Sequence, residues 1–190
     1  MLNRSVIVAG IAVAALSSVS SGAILVYNTT LSGPAEAPPN ASPGTGTVTV
    51  TVDTTLNTMR VEASFSGLIG NVTVCHIHAS LLMTPFTGTA GVATPTPTFP
   101  GFPAGVTAGS YDQTFDMSLV SSYNGAFITA NGGTPLTAFA ALLDTLDDGR
   151  AYFNLHTSAF TGGEIRGFLP TPGAASLFGF AALAAARRRR

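Results

Sequence analysis

Three histidines, the only ones in the chain, are the residues best suited to metal chemistry. His76 and His78 are one residue apart in the stretch TVCHIHAS, and His156 lies in the stretch YFNLHTS. Residues two apart in a β-strand project from the same face, so His76 and His78 would turn both imidazoles toward one ion. If His156 lies on an adjacent or facing strand, the three imidazoles could hold a copper or zinc ion with one open position.

The same histidines also fit a structural role. A neutral imidazole has one donor and one acceptor, so these side chains could instead hydrogen-bond to the backbone or to Glu164 and Arg166 and hold the sheet together. Glu164 and Arg166 are themselves one residue apart, and we expect them to form a salt bridge or to lock a turn. The H-x-H pattern is short and common, so the sequence leaves both alternatives open.

Other catalytic chemistry has no support in the sequence. The chain contains no G-x-S-x-G motif, no P-loop and no dinucleotide fingerprint, and Asp147-Asp148-Gly149 lacks the spacing of a calcium loop. The pattern of an H-x-H strand with a distant third histidine is similar to the copper ligands of copper/zinc superoxide dismutase. That enzyme needs further histidines, which this chain lacks, so we expect at most a single-ion site and no enzymatic activity.

Strand patterns surround these residues. Alternating apolar and polar side chains at 46–52 and 59–65 predict a hairpin with a turn at 53–57. The strand predicted at 71–78 carries His76 and His78, and since both of its faces are largely apolar we expect it to be central in the sheet. Further strands are predicted at 111–120, at 150–157 and in the segment that ends at Gly167.

One short helix is predicted at about 135–147. Thr134 suits the N-cap, Pro135 suits the first turn, and Gly149 follows the end. Its apolar stripe is expected at Leu136, Phe139, Ala140 and Leu143, extended by Leu146 or Leu142. Many strands with one short helix predict a mainly β fold, an antiparallel sandwich or barrel.

The segment from Pro85 to Gly109 is rich in Gly, Pro and Thr and is predicted to be a long surface loop. If this loop binds a polysaccharide or a protein, its aromatic residues Phe86, Phe99 and Phe102 must be exposed.

Two stretches together resemble the CHRD domain. They are LSGPAEAPP, which starts at Leu31, and GRAYFNLHTSAFTGGEIRG, which ends at Gly167. The most specific residues of the resemblance are Asn154, His156, Thr157, Gly162, Gly163, Glu164, Arg166 and Gly167. The resemblance covers Leu31 to Leu169, and it implies an immunoglobulin-like β-sandwich or barrel, found in bacterial secreted proteins, to which no catalytic activity is attached.

The first 23 residues are typical of a secretory signal peptide. Arg4 precedes an apolar run from Val6 to Leu16, and small residues lead to Ala23. The apolar run is shorter than the roughly 20 residues that span a bilayer. A buried N-terminal helix is the alternative.

Residues 170–190 resemble the PEP-CTERM sorting signal of Gram-negative bacteria. The motif is Pro170, Thr171, Pro172 and Gly173, with Thr171 in place of the commoner Glu. An apolar run and a terminal cluster of Arg187, Arg188, Arg189 and Arg190 follow. The resemblance implies the export machinery and an exosortase-type enzyme as partners and transient contact with the inner membrane. A plain C-terminal membrane anchor is the alternative.

The remaining residues, 24–169, are expected to form one acidic domain. They hold three arginines and all nine acidic residues, so the net charge is 3 − 9 = −6, and the chain has no lysine. This charge argues against nucleic acid as a partner. We therefore expect an exported, cell-envelope or extracellular protein with a non-enzymatic binding or structural role. The alternative is a single copper or zinc site, which could be redox-active. The sequence does not predict the surface ligand.

Overall fold

The computed structural model describes residues 22–169, which form seven strands and two α-helices. The strands are β1 (Ile24–Ser32), β2 (Thr45–Asp53), β3 (Thr58–Ser66), β4 (Val72–Ala79), β5 (Gly109–Asp116), β6 (Ala151–Thr157) and β7 (Ile165–Phe168). The helices are α1 (Gly125–Ala130) and α2 (Pro135–Asp147), and short 3-10 turns lie at Gly33–Ala35 and Val120–Ser122.

All seven strands belong to one antiparallel sheet in the order β4-β6-β7-β1-β2-β3-β5. A single pair, Ser32 with Arg166, joins β1 to β7, so the sheet divides there into a three-stranded and a four-stranded part. Phe99 lies between the two parts, with ring centroids 5.4 Å from Phe115 on β5 and 6.2 Å from Phe153 on β6. The sheet thus curls around its core, which confirms the predicted mainly β, antiparallel sandwich or barrel.

The β2–β3 hairpin is confirmed, whereas β1 and α1 were not predicted. β1 pairs with β2 along its whole length, from Ile24 opposite Asp53 to Ser32 opposite Thr45. β5 ends at Asp116 rather than at 120, because the chain turns there and forms the short 3-10 turn.

The predicted helix α2 is confirmed with its Thr134 N-cap, but its predicted apolar stripe is wrong in part. Leu136 is 59% exposed, and Ala140 is exposed as well. The side chains that face the core are Ala138, Phe139, Ala141, Leu142, Thr145 and Leu146. Both stripes have helical spacing, and the small Ala138 and Ala141 side chains let the helix approach the sheet closely on their side.

The expectation that β4 is a central strand is also wrong, since β4 lies at one end of the strand order. The segment between β4 and β5 covers its free edge. Ala93 and Phe99 donate backbone hydrogen bonds to the carbonyls of Ile77 and Cys75, at 2.9 and 3.2 Å. This cover explains the apolar pattern of an end strand, because unpaired strand edges are otherwise open to association.

The same segment buries two of its three phenylalanines. Phe99 and Phe102 lie in the core, and only Phe86 is exposed. Binding of a polysaccharide or protein through this loop would need exposed aromatic residues, and only Phe86 meets that condition.

Candidate metal centre

The pairing of β4 with β6 brings the three histidines together. Val74 lies opposite His156, His76 opposite Asn154, and His78 opposite Tyr152. The alternate residues of both strands, such as Cys75 and Ile77, are fully buried in the core. The histidines therefore lie on the face of β4 and β6 that points away from the core, which we call the outer face.

The imidazoles of His76, His78 and His156 form a compact triangle. The ring centroids are 5.6 Å apart for His76–His78 and His76–His156, and 5.8 Å apart for His78–His156. One nitrogen of each ring lies within 4.8 Å of one nitrogen of each other ring. The convergence that the sequence allowed is thus present, and we call this group the three-histidine centre.

Backbone carbonyls determine the tautomer of each ring. Because a carbonyl oxygen can only accept, the ring nitrogen that faces it must carry the proton. The pairs are His76 Nε2 with Pro97 O at 2.6 Å, His78 Nδ1 with Ala90 O at 2.9 Å, and His156 Nδ1 with Thr161 O at 2.9 Å. The other nitrogen of each neutral ring therefore carries a lone pair.

These three lone pairs are buried and have no hydrogen-bond partner. They belong to His76 Nδ1, His78 Nε2 and His156 Nε2. The side chain of His156 is partly exposed, but its Nε2 is not. Buried polar atoms in native proteins are nearly always paired, so three orphans in one place call for a ligand.

Burial keeps the imidazoles neutral. It lowers the pKa of His78 to about 4, and the nearby His76, His156 and Arg166 add to the effect against the hydrogen bond to Ala90. Burial also lowers the pKa values of His76 and His156. Neutral imidazole is the form that binds metal, so the centre is in its ligand form at neutral pH.

The structural role that the sequence also allowed accounts for only one of the two nitrogens of each ring. Each histidine does hydrogen-bond to the backbone, as that alternative expected, but the partners are loop carbonyls rather than Glu164 or Arg166. The carbonyls leave the second nitrogen of each ring unused. A carbonyl that holds one ring nitrogen and orients the other is the usual support of a metal-ligating histidine.

Tyr152 supports His78 from the side. Its ring is stacked on His78 with centroids 4.9 Å apart and an angle of 3°, and the Arg166 guanidinium lies 4.8 Å from the same ring. Since β6 lies between β4 and β7, His78 and Arg166 take opposite faces of the ring. The Tyr152 hydroxyl accepts a hydrogen bond from Ala90 N at 3.1 Å and so fixes the segment that holds His78.

Glu164 and Arg166 do not form a salt bridge with each other, which was one of the two roles predicted for them. Glu164 accepts hydrogen bonds from the Ser42 and Thr157 hydroxyls, both at 2.6 Å, and from the backbone N–H groups of Ile69 and Gly70. Burial alone would raise the pKa of Glu164, but these four donors lower it. The carboxylate thus ties the segment before β4 to β6 and to Ser42.

Arg166 is held elsewhere. It donates to the carbonyls of Ala35 and Gly88, at 2.5 and 2.9 Å, and its Nε lies 3.9 Å from Glu36. Glu164 and Arg166 have different partners because of their positions. Glu164 precedes β7 and faces the donors of Ile69 and Gly70, whereas Arg166 lies on β7 against Tyr152.

Most of the other residues behind the CHRD resemblance support this architecture. Asn154 is buried beside His76, and Gly163 has a φ of 132° that disfavours other residues. A Cβ at Gly167 would lie 2.3 Å from Thr30 O on β1. Nothing in the structure explains Gly162.

Cys75 is not part of the three-histidine centre. Cys75 is fully buried on the core face, and burial raises the pKa of its thiol, so it is not a ligand. The sorting motif and the arginine cluster lie outside the described residues, as do residues 1–21 of the predicted signal peptide. No helix within residues 22–169 is long and apolar enough to span a membrane.

Sequence reasoning did not find Tyr152 or the three carbonyls. No residue type signals a backbone oxygen, and Tyr152 gained meaning only when the register placed it beside His78.

Comparison with known proteins gives one match. The family model of the CHRD domain matches residues 27–169, well over half of the chain. No curated protein and no solved structure matches.

Proposed function

The chain belongs to the CHRD domain family, and we propose that it is a non-enzymatic binding protein whose ligand is a single copper or zinc ion. His76, His78 and His156 would hold the ion. The observation that carries this proposal is the convergence of three buried, unpartnered imidazole lone pairs.

The size of the triangle suits such an ion. The centre of a triangle with 4.8 Å sides lies 4.8/√3, or about 2.8 Å, from each corner, and zinc–imidazole bonds measure about 2.0 Å. An inward shift of less than about 1 Å by each ring would therefore complete the bonds. The carbonyls of Pro97, Ala90 and Thr161 would keep each ring in the tautomer that binds.

Binding rather than catalysis fits the groups around the centre. Within the described residues, no carboxylate or thiolate joins the three imidazoles, so the centre lacks an adjacent general base. Of the nearby carboxylates, Glu164 is occupied by four donors, and Glu36 lies beside Arg166.

We further propose that the protein is exported and addressed to the cell envelope or the extracellular space. The signal-peptide pattern in residues 1–23 and the PEP-CTERM-like tail at 170–190 support this. The export machinery and an exosortase-type enzyme would be its partners, and the tail would contact the inner membrane transiently. The surface ligand beyond the metal ion stays open.

A structural role in the envelope or matrix is the second candidate. The exposed face of β2, β3 and β5 favours it, because short polar side chains and ion pairs cover that face. Thr47 and Ser64 share a hydrogen bond of 2.9 Å, and Arg60 forms an ion pair with Asp112 at 2.6 Å. A hydrophilic, lysine-free surface of this kind suits a coat or matrix component.

The test is the metal content of the full chain, purified in detergent and measured by mass spectrometry. We expect close to one copper or zinc ion per chain, and its loss in the His76→Ala/His78→Ala double variant. Phe139→Leu is the control, because it weakens the core without touching a ligand. A wild-type protein that stays without metal after incubation with both ions would refute metal binding and favour the structural role.

A further inference from the structure

We propose that the three-histidine centre selects monovalent copper, Cu(I), over zinc and holds it in a three-coordinate, water-free site. This inference rests on the metal-binding function proposed above and names the ion. It follows from the enclosure of the ligand atoms, from the number of ligands and from the charges around them.

The ligand atoms of the three-histidine centre are enclosed by the protein. His76 Nδ1, His78 Nε2 and His156 Nε2 are all shielded from solvent. A water molecule at the centre of the triangle would leave at least one lone pair unpaired, because it has two O–H donors for three acceptors. A cation accepts all three lone pairs at once, at bond lengths of about 2.0 Å.

The number of ligands then separates the two metals. Protein-bound zinc is almost always four-coordinate, and a three-histidine zinc site completes its shell with a water molecule. The described residues supply no fourth His, Cys, Asp or Glu to this cluster. Cu(I) carries a single charge and is stable with two or three ligands, so it needs neither the water nor a fourth side chain.

The charges favour the ion of lower charge. Three neutral imidazoles contribute no negative charge, so a divalent ion would leave two uncompensated charges in a buried site, and Cu(I) leaves one. The nearest charged side chain in the stack is the Arg166 cation, across the Tyr152 ring from His78. Glu36 lies 3.9 Å from the Nε of Arg166 and does not belong to the three-histidine centre.

The experiment compares the two ions on the metal-free full chain in detergent at pH 7. Cu(I) is titrated without oxygen against bicinchoninate, and Zn(II) is titrated against a colorimetric zinc chelator. We expect the dissociation constant for Cu(I) to be at least ~100-fold lower than that for Zn(II). The copper X-ray absorption spectrum should show three nitrogen neighbours at about 2.0 Å and no oxygen neighbour.

A His156→Gln variant tests the ligand count. It should lower the Cu(I) affinity by at least ~10-fold, because two nitrogens remain, while Phe139→Leu should leave the affinity unchanged. Equal or tighter zinc binding, or an oxygen neighbour at copper, would overturn the selection of Cu(I) and leave the proposed metal-binding function intact. Failure to bind either ion would overturn both.

Discussion

At the scale of single residues, backbone carbonyls rather than other side chains orient the histidine rings. Pro97, Ala90 and Thr161 each present a carbonyl to one ring nitrogen, so the proton of each ring is confined to the side away from the centre. The lone pairs of His76, His78 and His156 thereby converge without the help of a bound ligand. Preorganisation of this kind reduces the ordering cost of binding.

The lowered pKa values predict a metal affinity that resists mild acid. Protons compete with the ion only below the pKa of the ligands, and burial moves that competition below pH 6.5, to about 4 for His78. We therefore expect the metal affinity to change by less than about fivefold between pH 7.5 and 6.0. Three imidazoles with ordinary pKa values would lose roughly 50-fold over the same range. Equilibrium dialysis at several pH values measures this, and a loss near 50-fold would contradict the buried geometry.

Because Glu164 accepts four hydrogen bonds, we expect its substitution to lower the stability strongly. Glu164→Gln replaces one acceptor oxygen by an amide that faces donors, so we expect the free energy of unfolding to fall by about 2–4 kcal/mol. Urea denaturation measures it. The matched control is Glu62→Gln, where the exposed pair with Arg60 should contribute less than about 1 kcal/mol. Equal effects of the two variants would refute the role assigned to Glu164.

At the scale of elements, the long segment between β4 and β5 takes the place of a strand. Thr94 and Thr98 accept hydrogen bonds through their hydroxyls from the backbone N–H groups of Ile77 and Cys75, both at 2.9 Å. Side-chain oxygens thus satisfy the free edge of β4 where a proline-rich chain cannot form a regular ladder. The same segment carries the carbonyls that hold His76 and His78.

Thr94→Val therefore tests the cover of the edge. Valine has nearly the same shape but leaves the buried N–H of Ile77 without its acceptor, so we expect a loss of about 1–3 kcal/mol in the free energy of unfolding. Thr114→Val, at an exposed position of β5, is the matched control and should change it by less than about 0.5 kcal/mol. Hydrogen exchange at the Ile77 amide should become faster in Thr94→Val. An unchanged exchange rate would show that another group satisfies the edge of β4.

At the scale of the whole molecule, the charges are divided between the domain and the tail. Residues 24–169 carry the net charge of −6, and the last four residues are all arginine. An acidic domain and a cationic end suit a chain whose tail stays at the cytoplasmic face of the inner membrane while the domain is exported. The tail would then serve as an address and take no part in the fold.

Replacing Arg187–Arg190 by alanine tests this address. In a Gram-negative host that carries an exosortase, we expect the wild-type domain to be released from the membrane fraction without its tail. The variant should keep the tail, because the positive cluster that orients it is gone. Cell fractionation with mass spectrometry of the C-terminus measures the result. Identical processing of the two proteins would contradict a PEP-CTERM-like signal.

The sequence by itself determined the mainly β class, the β2–β3 hairpin, helix α2 with its cap and the CHRD resemblance. Each rests on local periodicity, on cap chemistry or on a run of specific residues. The sequence also put His76 and His78 on one face, because the period of a strand is two.

Only the tertiary structure decided whether His156 joins them. That depends on the pairing of β4 with β6 across about 80 residues of chain, which no local pattern encodes. The same pairing decided that β4 ends the sheet and that loop carbonyls hold the rings. It also separated Glu164 from Arg166, because the partners of buried polar groups are chosen by packing rather than by spacing along the chain.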